Sequence, residues 1–204
     1  FKEKVEGAKS VDSHYLELDQ NEEDMIALAC ENFDDVIILL NTGTTMELDF
    51  LEEYPQIKAC LWMGYPGNSG AAAVGKVLVG DVVPSGHTTD TWAKDFTLDP
   101  SWQNFSYNRT NAGNSYTVDG KNAGYYFVDY EEGIYVGYRY YETRAVSYNG
   151  KVGSETKDYP DGESWYRDNV IFPMGYGLSY TSFEWEIVGR PQGKVSITAD
   201  DTIE

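Results

Sequence analysis

Residues 64–86 have the sequence GYPGNSGAAAVGKVLVGDVVPSG, and they organise the chain on either side of them. An apolar run at 57–62 leads into this segment, and glycine and proline residues then interrupt it. Apolar residues follow at positions 71, 74, 77 and 78, which is the stripe of a helix that packs on a sheet. Gly80 ends this pattern. The segment therefore predicts a strand, a tight turn and an amphipathic helix.

The residues before this segment predict helices that alternate with buried strands. Asp19 and Glu22 have the spacing of a capping box, and apolar residues at helical period predict a helix over 20–33. The continuous apolar run at 36–40 predicts a strand buried on both faces, and a short helix over 47–53 leads to the next strand. This alternation predicts an α/β fold with a parallel, doubly wound sheet.

The carboxyl ends of these two strands are the expected ligand site, because ligands of such sheets bind at that edge. The ends are residues 41–43, Asn-Thr-Gly, and the pair Gly64-Tyr65. Tyr65 is therefore our candidate substrate-binding residue.

The residues after Gly86 predict irregular and β structure. Residues 97–124 are rich in Asn, Ser, Thr, Tyr and Gly and predict loop or irregular β structure. Residues 125–141 are rich in tyrosine, and their β-branched and aromatic residues predict a strand near 133–141. Residues 181–187 alternate between apolar and polar, which predicts a half-buried strand at the start of a separate β module.

The composition excludes some classes of partner. The chain has 204 residues, enough for one full domain with a sizeable core. Its formal net charge is −19, so a nucleic-acid backbone or an anionic membrane surface would repel it. No segment is long and apolar enough to predict a membrane-spanning helix. The 17 tyrosines and 5 tryptophans exceed what a core needs, and such rings suit sugars or protein interfaces.

The cysteines and the first residue give three further expectations. Cys30 and Cys60 both lie among apolar residues, and we expect two buried free thiols. Paired ligand spacings of a zinc site are absent, so we expect neither a metal nor another cofactor. The first residue is Phe1 and not Met, so we expect the natural N-terminus to lie upstream.

The spacing of Gly64, Gly67 and Gly70 between a strand and a helix could indicate a dinucleotide fingerprint. Pro66 removes one of the amides that would face a pyrophosphate, and no second strand ends in a suitable acidic residue. We therefore prefer the interpretation that these glycines permit a tight turn and close packing of the helix.

Ser85, His87 and Asp90 could be read as a catalytic triad, but three residues so close in one loop do not easily converge from different directions. A nucleophile elbow is also missing from the sequence. We expect His14 and His87 to be hydrogen-bonding residues of loops.

Five blocks of the sequence resemble, in order, the second domain of family 3 glycoside hydrolases, and the whole looks similar to bacterial β-glucosidases. The blocks are residues 36–43 before Met46-Glu47-Leu48, residues 66–70 (PGNSG), 83–86 (VPSG), 132–140 (EGIYVGYRY) and 172–181 (FPMGYGLSYT). The resemblance covers nearly the whole chain.

The resemblance implies a retaining, exo-acting enzyme that releases terminal β-linked glucose from oligosaccharides or glucosides. The family's active site lies between a (β/α)₈ barrel, which carries an Asp nucleophile, and an (α/β)₆ sandwich. A barrel alone needs about 250 residues, so the nucleophile is not expected in this chain. We expect the chain to be inactive without the barrel.

The family's general acid/base is a Glu in a Glu-Gly pair, located before a Leu-x-Leu and a Gln. Glu6-Gly7 precedes Leu16-Glu17-Leu18 and Gln20, so the resemblance assigns this role to Glu6. The sequence departs from the family pattern near this pair and after the Pro-Ser-Gly block. Asp12-Ser13 replaces the usual Asp-Arg, Ala8 replaces an aromatic residue, and His87 replaces an Arg.

The resemblance also implies the domain organisation and the partners. We expect residues 1–180 to be the later part of the (α/β)₆ sandwich, and residues 181–204 to be a linker and the first strand of a fibronectin III-like module. This truncated sandwich would expose a strand edge, so we expect it to pair with the rest of the enzyme polypeptide, which carries the barrel and the first sandwich strands. The expected ligand is a carbohydrate substrate. The alternatives are a non-catalytic carbohydrate-binding or interaction module that uses residues 125–141, and a nucleotide-binding domain.

Overall fold

The computed structural model describes residues 14–104, 115–126, 130, 132–152 and 155–189. The first half contains the elements α1 (Gln20–Asn32), β1 (Val36–Leu40), α2 (Phe50–Glu53), β2 (Ile57–Trp62), α3 (Gly67–Leu78) and β3 (Trp92–Ala93). The second half contains α4 (Pro100–Asn104), β4 (Ser115–Val118), β5 (Lys121–Tyr126), α5 (Tyr138–Val146), α6 (Gly162–Asn169) and β6 (Val170–Phe172), with 3₁₀ helices at Phe96–Leu98 and Gly133–Tyr135.

The predicted helices and strands of the first half are present, but β1 is not buried on both faces, because Ile37 and Leu39 are exposed. The Asp19 side chain accepts hydrogen bonds from the amides of Asn21 and Glu22, and the Glu22 side chain accepts one from the Asp19 amide, so α1 begins with a complete capping box. Strands β1 and β2 pair in parallel. α1 ends at Asn32, one residue before the predicted end, and α2 begins at Phe50, three residues after the predicted start. These elements are those of an α/β fold.

Two clusters of buried residues form the core of the described chain. The first contains Ile26, Cys30, Leu40, Leu48, Phe50 and Trp92, and the second contains Ala93, Tyr141, Trp165 and Val170. The antiparallel pair of β3 and β6 joins the clusters, because Trp92 and Ala93 are neighbours in β3 and belong to different clusters. This pair fixes the α5–α6 region against the β1–β2 region.

Both cysteines are free thiols, as predicted. Cys30 is buried in the first cluster, whereas Cys60 is only partly buried. Burial raises the pKa of the Cys60 thiol to about 11, so this thiol stays protonated at neutral pH.

The predicted strand near 133–141 is wrong. Residues Gly133–Tyr135 form a 3₁₀ helix, and α5 begins at Tyr138. Gly137 has φ +67°, a left-handed conformation that breaks an extended chain and precedes the first turn of α5. Tyr141 and Arg144, three positions apart, are both buried, so tertiary packing at a helical period overrides the strand propensity of the tyrosines.

The predicted half-buried strand at 181–187 is also not present. These residues have no regular secondary structure and are exposed, and the exposed fraction of Trp185 is 93%. The segment at 97–124, which we expected to be loop or irregular β structure, contains the short helix α4 and most of the β4–β5 hairpin in the part that the structure describes. The hairpin's turn residues Asp119 and Gly120 have φ +50° and +73°, as a type I′ turn requires.

Within the described residues, none of the helices has the length and apolar character needed to cross a membrane.

Candidate functional site

The carboxyl edge of the β1–β2 pair is formed by two turns that contact each other. In the turn after β1, the Thr44 amide donates to Thr42 Oγ1 at 3.2 Å. Trp62, the last residue of β2, donates from Nε1 to the Thr42 carbonyl at 2.7 Å. The Met63 amide continues the ladder to the Leu40 carbonyl at 3.1 Å. The two turns are therefore held in a fixed relation.

Tyr65 lies at this edge and its exposed fraction is 78%. Its ring lies directly against Gly43, where a Cβ atom would overlap the ring carbon Cε2. Only glycine at position 43 leaves room for this arrangement, which presents an aromatic face to solvent beside the turn. The role of Tyr65 in substrate binding stays a prediction.

The glycines after β2 have structural roles. Gly64 and Gly67 have φ +58° and +61°, which the tight turn requires. A Cβ atom at Gly70 would lie 2.6 Å from Cβ of Pro66, so this glycine permits the turn to pack closely on α3. This geometry supports the structural role that we preferred to a dinucleotide fingerprint.

A cluster of polar residues, here called the Glu47 cluster, joins three segments of the chain through His14, Glu17, Glu47 and the amide of Phe96. Glu47 Oε1 accepts a hydrogen bond from the Phe96 amide at 2.8 Å and lies 3.4 Å from His14 Nε2. The Glu47 amide donates to the Leu16 carbonyl at 2.8 Å. Glu17 Oε1 accepts from the His14 amide at 2.9 Å. The Glu47 cluster therefore fixes residues 14–17 to the segment that follows β1.

His14 carries a raised pKa within the Glu47 cluster. Burial lowers its pKa, but the hydrogen bond to Glu47 and the charges of the nearby carboxylates raise it by more. The ring also packs on Trp102, with ring centroids 4.7 Å apart. The His14 and Glu47 side chains are 12% and 13% exposed, and the raised pKa of His14 favours its charged, ion-paired form.

The Glu47 cluster also has the residue types of a metal site. His14, Glu17 and Glu47 each offer one ligand atom, and these atoms lie within 4.8 Å of one another. A metal ion at His14 Nε2 would compete with a proton whose binding the raised pKa favours. Glu47 Oε1 already accepts from the Phe96 amide. The expectation of no metal stays a prediction.

Glu6 and Gly7 lie outside the described residues, as do Ala8 and Asp12. Glu6 is eight positions before His14, and eight residues span at most about 28 Å when fully extended. The anchor at His14 therefore limits where Glu6 can lie relative to the strand ends.

Ser85, His87 and Asp90 do not form a triad. The His87 ring nitrogen Nδ1 lies 3.0 Å from the carbonyl oxygen of Ser85, so this nitrogen is engaged with the backbone of its own loop. The Asp90 carboxylate accepts from the amide of Thr91 at 2.8 Å. His87 is a loop residue that hydrogen-bonds to its own turn, as predicted.

A second polar network, around Asp99, was not predicted from the sequence. Tyr141 donates to Asp99 Oδ2 at 3.2 Å, the Ser101 amide donates to Asp99 Oδ1 at 2.7 Å, and the Ser101 hydroxyl donates to Glu132. Burial raises the pKa of Asp99, and burial together with the nearby Asp99 raises that of Tyr141 well above its ordinary value. Asp99 and Ser101 are neighbours in one turn, but their hydrogen-bonding partners Tyr141 and Glu132 are distant in sequence. No local sequence pattern therefore indicated the network. This network fastens α5 to the segment before α4.

The comparisons with known proteins agree on one family. Residues 2–138 match the model of the family described as glycosyl hydrolase family 3 C-terminal domain. A β-glucosidase of Ruminococcus albus is 36% identical over 162 residues, which are 78% of this chain and 13% of that protein. β-Glucosidase A of Butyrivibrio fibrisolvens is 32% identical over 178 residues, 87% of this chain and 17% of that protein.

A solved structure that resembles this chain is also that of a β-glucosidase. The crystal structure of a β-glucosidase from Paenibacillus barengoltzii superposes with a TM-score of 0.62 at 31% identity, over 87% of this chain and 16% of that one. The chain thus spans less than a fifth of the length of each of these three proteins.

Proposed function

This chain belongs to the glycosyl hydrolase family 3 C-terminal domain, and we propose that it forms the acid/base side of a retaining, exo-acting β-glucosidase active site. The proposed substrate is a terminal β-linked glucose of an oligosaccharide or glucoside. This choice is supported by the names of the relatives, which are β-glucosidases. The proposed acid/base is Glu6.

The Glu47 cluster is the observation that carries this proposal. It ties the segment that follows Glu6 to the residues after β1, through the Glu47 amide on the Leu16 carbonyl and the His14–Glu47 ion pair. Ligands of parallel α/β sheets bind at this edge, where Tyr65 presents an exposed ring. Glu6 precedes this anchor by eight residues, and we propose that it acts on a sugar at this edge.

The chemistry that we propose needs a second carboxylate from outside this chain. In a retaining mechanism, one carboxyl group protonates the leaving oxygen while a carboxylate about 5–5.5 Å away attacks the anomeric carbon. The acid then acts as a base and removes a proton from the water that releases the sugar. We propose that the nucleophile lies in a barrel carried by the rest of the polypeptide, so the isolated chain should not turn over glucosides.

The proposed domain boundaries have some support from the exposed surface. We propose residues 1–180 as part of the sandwich and residues 181–204 as the start of a fibronectin III-like module. Phe183, Trp185 and Ile187 are apolar yet exposed, which suits residues that a further β module covers. Ile37 and Leu39 of β1 are also exposed, which suits a sheet that continues into sandwich strands from the rest of the polypeptide.

The test is a comparison of Glu6→Gln with Glu3→Gln in the intact enzyme that contains this chain. If Glu6 is the acid/base, its amide variant should lower kcat/KM on cellobiose by about 10²- to 10⁴-fold. On 2,4-dinitrophenyl β-glucoside, whose leaving group needs no proton, the first step should be almost unaffected. Glu3→Gln is the matched control, because it removes a carboxylate three positions away. Equal activity of the two variants on cellobiose would contradict the assignment.

A further inference from the structure

The segment that follows α5 contains the chain's single Asn-Gly pair, Asn149-Gly150. Both residues lie outside the helices and strands, between the end of α5 at Val146 and the start of α6 at Gly162. Gly150 has φ +101°, a conformation that glycine adopts at little steric cost. Because Gly150 has no side chain, its backbone nitrogen can approach the side-chain carbonyl carbon of Asn149 closely. The pair is therefore suited to an attack of the backbone on the asparagine side chain.

The groups that would react are not held by other contacts. Within the part of the chain that the structure describes, neither the Asn149 side-chain amide nor the Gly150 N–H group makes a hydrogen bond. The contact of Gly150 is made by its carbonyl oxygen, which accepts from Arg144 Nη2 at 2.9 Å. This oxygen follows the attacking nitrogen in the chain, so its hydrogen bond does not block rotation of the Asn149 side chain toward that nitrogen.

The two neighbours of Asn149 contact the same buried guanidinium. The Arg144 guanidinium lies 5.0 Å from the centre of the Tyr148 ring and donates to the Gly150 carbonyl. The Tyr148 hydroxyl also donates to Asp158 Oδ1 at 2.9 Å. Arg144 is itself fixed by its ion pair with Glu155. Asn149 therefore spans two contacts whose separation is set by one guanidinium.

We propose that Asn149-Gly150 is a site of spontaneous deamidation, and that the isoaspartate product breaks the contacts of this segment with Arg144. The Gly150 nitrogen bonds to the side-chain carbonyl carbon of Asn149, and the side-chain nitrogen leaves as ammonia with the proton of the Gly150 amide. Water then opens the resulting succinimide at either carbonyl carbon, which gives aspartate or isoaspartate. This covalent change is intramolecular and consumes only water. It therefore needs no surface free for a partner and does not depend on the proposed role of Glu6.

The two products should affect the fold differently. In isoaspartate the main chain runs through Cβ and Cγ, which inserts one carbon atom into the backbone at position 149. The Tyr148 ring and the Gly150 carbonyl then cannot both keep their positions on the Arg144 guanidinium. Aspartate adds the same negative charge but leaves the backbone length unchanged. Isoaspartate formation should therefore loosen the segment after α5, whereas a change to aspartate should not.

The first part of the test is peptide mapping by mass spectrometry of the intact enzyme that contains this chain, after prolonged incubation at pH 8. We expect a mass increase of about 1 Da at Asn149, with isoaspartate identified by electron-transfer fragmentation. Asn68 is the internal control, because it is also exposed and precedes the small residue Ser69 but lies in α3. Helical dihedral angles keep the next nitrogen away from the side-chain carbonyl carbon, so the modified fraction at Asn149 should exceed that at Asn68 by about tenfold or more.

The second part is hydrogen–deuterium exchange of the aged enzyme over residues 144–155. The Val152 amide donates to Glu155 Oε2 at 2.8 Å, so its exchange reports whether this segment still packs on the ion pair. We expect faster exchange in the isoaspartate fraction than in the fresh enzyme. Asn149→Asp is the matched control for charge and should exchange as the fresh enzyme does. Asn149→Gln should resist modification and should show no increase in exchange after the same incubation.

Two results would overturn the proposal. A modified fraction at Asn149 no higher than that at Asn68 would contradict the reactivity of the pair. Unchanged exchange over 144–155 in the isoaspartate fraction, or an equal increase in Asn149→Asp, would contradict the effect of the longer backbone on the Arg144 contacts. Neither measurement reads turnover, so a failure of the Glu6 assignment would leave both results unaffected.

Discussion

Arg144 is a charged residue of α5 that lies in the core, with a side-chain exposed fraction of 5%. It pairs with Glu155, which is 4% exposed, at 2.5 Å. Its guanidinium lies over the rings of Trp165 and Tyr148, at 4.7 Å and 5.0 Å from their centres. Glu155 also accepts from Trp165 Nε1 at 2.7 Å. The ion pair and the aromatic rings together hold Tyr148 and Glu155 against α5 and α6.

Arg144→Leu should therefore destabilise the chain strongly, because it leaves the Glu155 charge buried without its partner. The expected loss in the free energy of unfolding is about 3–5 kcal/mol, measured by urea denaturation. Arg167→Leu is the matched control, since Arg167 is exposed and pairs with Glu163 one helical turn away, and should change stability by less than about 0.5 kcal/mol. A loss below about 1 kcal/mol for Arg144→Leu would contradict this role.

His14 should make the stability of the chain depend on pH. Its folded pKa is raised above the ordinary value of 6.5, so the folded state binds the proton more tightly than the unfolded state. The contribution of this tighter proton binding to the free energy of unfolding is fully present below pH 6.5. It is lost as the pH rises through the folded pKa. The difference in unfolding free energy between the natural chain and His14→Gln should therefore shrink as the pH rises.

Glu47→Gln tests the cause of this pH dependence. Removing the carboxylate that His14 faces should reduce the contribution of His14 to the free energy of unfolding. It should also weaken the dependence of that contribution on pH. The comparison uses thermal or urea unfolding at a series of pH values from 5 to 8. A difference between the natural chain and His14→Gln that grows with pH would contradict a raised pKa.

At the scale of the elements, two glycines should respond oppositely to the same substitution. A Cβ atom at Gly162 would overlap the carbonyl oxygen of Ala145, so Gly162→Ala must push α6 away from the end of α5. We expect a loss of about 1–3 kcal/mol. Gly75 lies inside α3 with nothing within 4 Å of its Cβ position, so Gly75→Ala should stabilise by about 0.4–1 kcal/mol. A Gly162→Ala melting temperature at or above that of the natural chain would contradict the packing at Gly162, and a lowered one for Gly75→Ala would contradict the open space at Gly75.

The elements with strong local signals could be predicted from the sequence. The capping box at Asp19 and the apolar runs of β1 and β2 predicted α1 and both strands correctly. The type I′ turn at Asp119-Gly120 also had a local signal, which the irregular composition of residues 97–124 obscured. These features are determined by residues only a few positions apart, so they can be recognised in the sequence.

Other features depend on contacts between distant residues and could not be predicted. The tyrosines near 133–141 have strand propensity, but burial of Tyr141 and Arg144 selects a helix. Likewise, His14 and Glu47 are 33 positions apart, and only the fold reveals their ion pair. The position of Tyr65 at the end of β2 could be predicted because strand ends can be located from the sequence, whereas its packing on Gly43 could not.

At the scale of the whole molecule, we propose that the chain contributes one part of a larger site. It spans less than a fifth of the length of the β-glucosidases named above, and we propose that its catalytic partner is a carboxylate on the rest of the polypeptide. The apolar residues exposed on β1 and at 183–187 suit such an assembly. The acid/base role of Glu6 is the claim on which this account of function depends.

The most direct test of that claim is azide rescue of Glu6→Gln in the intact enzyme, with 2,4-dinitrophenyl β-glucoside as the substrate. The variant should accumulate the glucosyl-enzyme, because no base remains to activate water. Azide is already anionic and needs no base, so it should attack the anomeric carbon, release the nucleophile carboxylate and form β-glucosyl azide with retained configuration. An increase in turnover that yields this product is the predicted result. Turnover that azide does not change, with glucose as the sole product, would contradict the assignment of Glu6.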